Sequence, residues 1–307
     1  MANLNYAVEY AQALAQAYPN VLHFGALYAT PNNGRYRMGE NGKSVEIPRI
    51  KTSGRIDSDR DTIAQAARNY DNSWELKPLT HQRQWSTLIH PKDVDQTNHT
   101  ATIQNITQVF NQEQKFPEMD AYLISTLYKL WTTKDANDAE DVAMTADLTA
   151  LTAESILGVF DDLMEDMDEA LVPATGRILY VTSTAHKLLK QAEGIVRQMS
   201  VQEGGSNVSR IINRLDEVEI VSVPTTLMKT EYDFEEGYEP KAGAAQINMF
   251  LVHPTAVITP VSYEFAQLDP PSAMSNGKYY YFEESFEDVF ILNKRKGALA
   301  FNITAGE

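Results

Sequence analysis

Cysteine is absent from this sequence of 307 residues, which excludes disulfide bonds, thiol catalysis and cysteine-based metal sites. Long apolar runs are absent too, since none approaches the roughly 20 residues that a membrane-spanning helix needs. The N-terminal residues show neither the basic flank nor the apolar stretch of a signal peptide. We therefore expect a soluble protein made in the cytoplasm, with no membrane among its partners.

Positive charge is scarce. Lysine and arginine together number 26, against 42 aspartate and glutamate residues, and the net charge is −16. Because an acidic surface repels phosphate, we do not expect the protein to neutralise a nucleic-acid backbone as its main function. A container for DNA is a different case, since a lining that does not adhere lets the polymer pack and leave freely. The charge is equally compatible with a role in solubility alone.

The motifs of common enzymes are missing as well. The six histidines are scattered, and none is paired with another at metal-ligand spacing or in a His-Glu-x-x-His pattern. Gly204 and Gly205 are not followed by the Lys-Ser or Lys-Thr of a phosphate-binding loop, and no Gly-x-Ser-x-Gly pattern occurs. We predict no catalytic residue, no cofactor and no metal site.

The densest group of carboxylates lies in residues 161–169. Asp162 and Asp166 are four residues apart there, so on a helix their side chains could share one cation. The same segment also carries an apolar stripe, formed by Ile156, Val159, Phe160, Leu163, Met167 and Leu171. A charged face opposite such a stripe is typical of a solvated amphipathic helix, and we prefer this interpretation.

The first 42 residues have the pattern of an arm. A helical period ends at Pro19, and turn-forming residues dominate 30–34 and 39–42. Residues 43–80 have the pattern of an extended hairpin. Its first strand contains Pro48, which confines it to an edge, and its second begins at Trp74. The polar loop between them is about twenty residues long, which is uncommon inside a compact domain and indicates a protrusion that meets other subunits.

The rest of the chain alternates helices and strands. We predict a strand at 85–89 and then a long helix from about His99 to Trp131, broken near Lys115 because of Pro117. A second helix is predicted at 156–171. Strands at 177–182, 219–224 and 247–252, with a helix capped by Ser183 and Thr184, indicate an α/β unit. The last fifty residues are predicted to form short strands.

The order of motifs along the chain is more specific than any one of them. It runs through Val45-Glu-Ile-Pro-Arg49-Ile, Asp59-Arg60-Asp61, Asp93-Val-Asp95-Gln-Thr97, Phe116-Pro-Glu-Met-Asp120, Gly176-Arg-Ile-Leu-Tyr-Val-Thr, Ile247-Asn-Met-Phe-Leu-Val-His253 and Glu287-Asp-Val-Phe-Ile-Leu-Asn293. In this order, from about Val21 to Ile303, the chain resembles the major capsid proteins of tailed bacteriophages, particularly those of Gram-positive hosts.

The resemblance implies an α+β fold in four parts. These are an N-terminal arm (1–42), an extended β-hairpin loop (43–80), a peripheral domain with a spine helix and a long sheet (81–135 and 253–307), and an α/β axial domain (136–252). It also implies a coat protein that assembles as pentamers and hexamers into an icosahedral head around double-stranded DNA. The implied partners are other copies of the chain, a scaffolding protein, the portal protein and packaged DNA bound without sequence specificity. The implied location is the virion.

The same resemblance places inter-subunit contacts in the extended loop, where charges of both signs suit docking against a neighbour. The residues that we assign to these contacts are Arg49, Lys51, Arg55, Asp57, Asp59, Arg60 and Asp61. Pro117 is assigned to a break in the spine helix.

Two alternatives stay open. An encapsulin, the shell protein of a nanocompartment, shares the fold and would need a pocket for cargo tails. An enzyme using the acidic helix would need a base, a nucleophile or a metal ion, and the sequence offers none beside it.

Overall fold

The computed structural model of the chain describes residues 20–39, 43–55, 69–96, 102–136, 138, 140–192 and 212–304. The described α-helices, in chain order, are α1 (Gly25–Tyr28), α2 (Pro91–Gln96), α3 (Ile103–Phe110), α4 (Phe116–Thr132), α5 (Ile156–Glu169) and α6 (Ser183–Leu189). Short 3₁₀ turns occupy Pro31–Gly34, Thr225–Leu227, Pro254–Ala256 and Asn293–Ala298.

The described strands form several sheets. In chain order they are β1 (Arg37–Met38), β2 (Ser44–Thr52), β3 (Tyr70–Pro78), β4 (Gln82–Ile89), β5 (Ile178–Thr182), β6 (Arg214–Leu215), β7 (Val218–Val223), β8 (Tyr232–Asp233), β9 (Glu239–Pro240), β10 (Gln246–Val252), β11 (Val257–Ile258), β12 (Val261–Asp269), β13 (Tyr279–Glu287), β14 (Phe290–Ile291) and β15 (Leu299–Thr304). The sheet orders are β1-β2-β3, β15-β10-β5-β7-β6, β12-β13-β4, β11-β14 and β8-β9.

The five-stranded sheet lies between two helical layers. Strands β5 and β7 are parallel, and the other neighbours are antiparallel. Successive side chains of β5 point to opposite faces. Tyr180 therefore packs in the core that includes α4, whereas Leu179 packs in the core that includes α5 and α6. This arrangement is the predicted α/β unit.

Strand β15 belongs to this sheet, although the family resemblance implied that residues 253–307 are part of the peripheral domain. It pairs with β10 along its whole length, and the stacked rings of Phe250 and Phe301 lie 4.4 Å apart. The core beneath α4 also combines Leu123, from the predicted peripheral domain, with Phe250, from the predicted axial domain. The five-stranded sheet therefore includes strands from both sides of residue 253, the predicted boundary between the axial and peripheral domains. Strand periodicity indicates which residues are buried but does not identify the strand that pairs with them.

The predicted long helix is present but is not interrupted. Helices α3 and α4 are joined by a π-helical turn over Asn111–Lys115, and the backbone at Phe110 and Phe116 stays in the α region. In a regular helix the ring of Pro117 would clash with the carbonyl of Glu113, four residues earlier. The wider π turn lies at this position, so the predicted break is an irregularity within a continuous helix.

Helices α5 and α6 confirm the predicted segments with two corrections. The stripe of α5 is buried from Ile156 to Met167, but Leu171 lies beyond the helix end with a φ of 55° and is 91% exposed. Its left-handed backbone turns it out of the stripe. Helix α6 is capped by Thr182, whose hydroxyl oxygen accepts from the N–H of Ala185 at 3.2 Å, and not by the two residues that follow Thr182.

The described part of the predicted arm packs into the molecule. Asp120 of α4 is fully buried, and its carboxylate accepts hydrogen bonds from the N–H groups of His23 (2.9 Å) and Phe24 (3.1 Å). Phe24 and Leu27 then join the core beneath α4. Residues 20–28 are therefore held against the spine helix by a buried carboxylate. Residues 1–19 and 40–42 of the predicted arm lie outside the described part of the chain.

The sheet β12-β13-β4 contains a strand that the sequence did not indicate. Strand β12 pairs with β13 from Val261 opposite Glu287 to Asp269 opposite Tyr280. Almost every side chain of β12 is exposed, so its sequence shows no alternation between buried and exposed positions. The prediction of short strands in the last fifty residues therefore does not describe β12 and β13, which have nine residues each.

Candidate inter-subunit surfaces

The extended hairpin predicted at 43–80 is formed by β2 and β3, paired from Ser44 opposite Pro78 to Thr52 opposite Tyr70. Because side chains alternate along a strand, the hairpin has two different faces. On the inner face, Val45 and Ile47 are buried and pack in a small core of their own. This core fixes the stem of the hairpin to the body of the chain.

The outer face of the hairpin is apolar and exposed. Its large apolar side chains are Ile50, Tyr70, Trp74 and Leu76, which are between 51% and 68% exposed and share this face with a few polar residues. The guanidinium of Arg37 lies 5.1 Å from the centre of the Trp74 ring. Contiguous exposed apolar side chains of this kind mark interaction sites. The outer face is therefore a candidate surface for another protein chain.

The stem of the hairpin is held by ion pairs to the loop after α4. Arg49 donates to the carboxylate of Asp138 at 2.5 Å and to that of Glu140 at 2.7 Å. Lys51 also pairs with Glu140. Burial opposes ionisation of Asp138, but hydrogen bonds from the Glu140 N–H, Asn293 and Arg49 outweigh it, so the pKa of Asp138 lies below its ordinary value. The pKa of Glu140 is lowered by Lys51 and then by Arg49.

A second set of polar contacts lies deeper in the stem. The ammonium of Lys77 is buried and donates to Asp135 at 2.7 Å and to the side-chain oxygen of Asn293 at 2.8 Å. Nearby, Lys296 pairs with Asp141 at 2.6 Å. Both lysines connect the loop after α4 to the turn Asn293–Ala298. The hairpin, this loop and this turn therefore form one polar cluster.

The sequence-predicted contact residues have different surroundings. Arg49 and Lys51 form their ion pairs within the chain, and Arg55 lies exposed beyond the end of β2. Asp57, Asp59, Arg60 and Asp61 lie outside the described residues. The assignment of all seven to inter-subunit contacts stays a prediction.

Sequence reasoning missed the carboxylates that bind the stem, Asp138 and Glu140. The acidic composition of residues 134–146 was visible in the sequence, but charge composition does not show which basic residues lie opposite.

The sheet β12-β13-β4 offers a second candidate surface. On one face, Trp85 stacks on Phe110 of α3 with ring centroids 3.9 Å apart. The other face carries a row of aromatic rings at spacings of 6.3 to 6.4 Å, formed by Tyr263, Phe265, Phe282 and Tyr280. Leu88, Tyr263 and Phe265 on this open face are 55%, 47% and 37% exposed. An exposed aromatic sheet face is a further candidate for contact with another chain.

The histidines of the described residues have structural surroundings. His81 stacks on Tyr122 at 3.6 Å, and His253 lies within hydrogen-bond distance of the carbonyl of Thr175 and the hydroxyl of Thr255. In the part of the chain that the structure describes, no group of three or more histidine, aspartate or glutamate side chains could hold a metal ion. Nor does any described helix have the length and apolarity to cross a membrane.

No protein-family model matches this sequence, and a comparison with curated proteins finds no relative. Solved structures do match over nearly the whole chain. The asymmetric unit of the mature capsid of bacteriophage PhiM1 has a TM-score of 0.67 and 12% identity, covering 96% of this chain and 90% of that chain. The chain has the phage capsid fold.

Two further capsid structures show the same fold. The capsid of the cyanophage P-SCSP1u has a TM-score of 0.66 and 13% identity, covering 98% of this chain and 93% of that chain. The acidic stable capsid of Helicobacter pylori bacteriophage KHP30 has a TM-score of 0.61 and 11% identity, covering 99% and 96%. The predicted α+β capsid fold is confirmed. The link to phages of Gram-positive hosts stays a prediction.

Proposed function

We propose that this chain is the major coat subunit of a phage head. It assembles as pentamers and hexamers into an icosahedral shell that encloses double-stranded DNA, and its role is structural and not catalytic. The observation that supports this most strongly is the capsid fold, which covers nearly the full length of both this chain and the capsid chains that it matches.

The exposed surfaces support the same proposal. In a permanent monomer, Trp74 and Leu76 on the outer face of the hairpin and Phe265 on the open face of the sheet would stay exposed to water. Contact with a neighbouring subunit would bury these apolar side chains. Burial of apolar surface contributes about 25 cal/mol per Å². In a closed shell each subunit repeats the same contacts, so modest terms add over all its interfaces.

The remaining assignments follow from that role. The arm (1–42), extended loop (43–80), peripheral domain and axial domain are proposed as the parts of the subunit, with β15 added to the axial sheet. The proposed partners are other copies of the chain, a scaffolding protein, the portal protein and packaged DNA. The net charge of −16 suits a lining to which DNA does not adhere. The proposed location is the virion.

Electron microscopy of the purified chain, alone and co-expressed with its phage's scaffolding protein, tests the proposal. We expect closed shells tens of nanometres across, and DNA-filled heads when the chain is expressed in an infected host. Shells that carry a protein cargo and no DNA would support the encapsulin alternative. A chain that stays monomeric at every concentration, by light scattering, would contradict both.

A further inference from the structure

The end of α5 presents an apolar side chain to solvent in an unfavourable conformation. Leu171 has a φ of 55° and is 91% exposed. Its N–H bonds the carbonyl of Asp168 at 2.9 Å, and the N–H of Val172 bonds that of Met167 at 3.0 Å. This is a Schellman helix end, in which the left-handed position is usually glycine because a Cβ is strained there. Leucine is therefore unfavourable at this position for two reasons. Its Cβ is strained in the left-handed backbone, and its apolar side chain is exposed to water.

Three carboxylates lie within five residues of this leucine in the sequence. Asp166 and Glu169 precede it on the exposed side of α5, and neither forms an ion pair with a described residue. Asp168 is also exposed but pairs with the buried Arg177 at 2.5 Å. The end of α5 therefore carries an exposed apolar side chain, close in sequence to two carboxylates that form no ion pair with a described residue. We call Asp166, Glu169 and Leu171 the acidic knob.

A cavity of opposite character lies at the stem of the hairpin. It has a volume of about 300 Å³, and its apolar lining includes Ile47, Ile258 and Leu292. Three exposed cations also line it, Arg35, Lys294 and Arg295, and none has an ion pair among the described residues. We call this cavity, with its three cations, the basic pocket.

Two other charged residues line the basic pocket, and both have partners within the chain. Arg49 is paired with Asp138 and Glu140, and the carboxylate of Glu75 lies 3.5 Å from the ammonium of Lys77. Among the described residues, the charge at the pocket that forms no ion pair is therefore positive, although Arg295 donates to the carbonyl of Thr255 at 2.6 Å and the charge of Lys294 helps to lower the pKa of Glu140. This is notable in a chain where acidic residues outnumber basic ones by 42 to 26. A fitting occupant carries negative charge and one protruding aliphatic side chain.

The acidic knob has both properties, but it does not occupy the pocket of its own chain. Leu171 is almost fully exposed. The end of α5 does approach the turn that carries Lys294 and Arg295, since a Cβ built on Gly297 would lie 2.7 Å from the Cβ of Ala170. The acidic knob and the basic pocket therefore lie on neighbouring elements, the end of α5 and the turn Asn293–Ala298. Every copy of the chain carries both.

We propose that the acidic knob of one copy of this chain inserts Leu171 into the basic pocket of a neighbouring copy. Asp166 and Glu169 of the first copy then lie against the three cations of the second. Burial of Leu171 and the pairing of the charges offset the unfavourable left-handed leucine. The contact rests on the proposed function, because it requires copies of the chain to assemble.

Leu171→Gly separates folding from assembly. Glycine removes the strain at the helix end, so the unfolding temperature of the subunit should rise slightly. The same change removes the knob, so the concentration needed for shell formation should rise by about tenfold, a change typical of losing one good apolar contact. Light scattering and calorimetry give the two readouts. A glycine variant that assembles at the wild-type concentration would overturn the proposal.

Exchanging the charges of Glu169 and Lys294 tests whether these two residues contact each other between neighbouring copies of the chain. Glu169→Lys and Lys294→Glu should each weaken assembly, and the double variant should recover most of it because the pair is restored with reversed sign. Asp161→Lys is the matched control, with the same charge change on the same helix about 12 Å further from Leu171. It should leave assembly near the wild-type value and should not rescue Lys294→Glu. Rescue by Asp161→Lys as strong as by Glu169→Lys would reject the specific contact.

Different experimental results would contradict the proposed function and the proposed contact between knob and pocket. A wild-type chain that never assembles would overturn the proposed function and this contact with it. Shells formed equally well by the wild type and by every knob and pocket variant would overturn the contact alone.

Discussion

The guanidinium of Arg49 lies 2.5 Å from the carboxylate of Asp138, although the two residues are 89 positions apart in the chain. This contact joins the extended hairpin to the loop that follows α4. Both side chains are largely buried, at 18% and 9% exposure, so water screens them less than it screens a surface pair. This ion pair therefore holds the stem of the hairpin against the body of its own chain.

Asp138→Asn should loosen the hairpin without unfolding the molecule. The neutral amide keeps the size of the side chain but loses the charge that binds Arg49. We expect the unfolding temperature to fall by about 2 to 4 °C, the effect of about 1 kcal/mol in a chain of a few hundred residues. Hydrogen exchange of the amides in β2 and β3 should become faster. Asp162→Asn, which changes an exposed carboxylate of α5, is the control and should alter neither property.

Much of this fold could be predicted from periodicity. The apolar steps of α5 and the paired runs around Pro48 and Trp74 gave elements that the structure confirms, because burial on one face imposes those periods on the sequence. The strand β12 could not be predicted, since an exposed strand has no such period. The pairing of β15 with β10 could not be predicted either, because no local pattern identifies a partner distant in sequence.

The candidate surfaces were predictable only in part. The hairpin could be predicted from the patterns of its two strands. The apolar character of its outer face could not, although the charged residues of the loop were recognised. Ile50 and Trp74 were visible in the sequence, yet which of the alternate positions faces outward depends on how the stem packs. Leu171 shows the opposite error. It fitted the apolar period of α5 and was included in the apolar stripe of the predicted helix, whereas the helix ends two residues earlier.

His81→Phe should change the pH dependence of stability. Burial and then the charge of Arg83 lower the pKa of His81 to about 4. In the unfolded chain the pKa of histidine is about 6.5, so the neutral ring stabilises the fold fully above pH 6.5 and that contribution is lost as the pH falls towards 4. The loss is at most about 3 kcal/mol, at about 1.4 kcal/mol for each pH unit.

Phenylalanine preserves the ring that stacks on Tyr122 but cannot be protonated. The variant should match the wild type at pH 7.5 and exceed its unfolding temperature at pH 5. Glu287 contributes with the opposite sign, because burial raises its pKa and its protonation therefore favours the fold as the pH falls. It is present in both proteins, so the difference between them isolates His81. Parallel pH profiles for the two proteins would contradict the prediction.

Trp74→Ser should weaken assembly and leave folding nearly unchanged. The indole is 51% exposed on the outer face of the hairpin, and its one cation–π contact, with Arg37, is worth about 0.5 to 1 kcal/mol at an exposed site. The unfolding temperature should therefore shift by no more than about 4 °C. The concentration needed for shell formation should rise by tenfold or more, because tryptophan is among the residues that dominate interfaces.

Leu148→Ser provides the comparison for Trp74→Ser. Leu148 is 67% exposed and lies on neither the hairpin nor the open face of the sheet. Its replacement should have a clearly smaller effect on assembly. Equal losses in the two variants would show that general surface apolarity, and not the outer face of the hairpin, determines the yield of shells.

Pro117→Ala should convert the π turn before α4 into a regular helix. Alanine supplies the N–H that proline lacks and removes the ring that would clash with the carbonyl of Glu113. Closing a π turn rotates the preceding residues of α3 relative to α4. Phe110 would then leave its stack on Trp85, which holds α3 against the sheet.

Because the subunit core beneath α4 is formed by residues after Pro117, such as Leu123 and Leu127, we expect the unfolding temperature of Pro117→Ala to change little. The angle between α3 and α4 should change more, and with it the curvature of the assembled shell. Electron microscopy of variant shells should show a diameter that differs from the wild type, or a mixture of diameters. Shells of unchanged diameter and yield, from a variant whose helix has become regular, would show that the π turn has no part in setting curvature.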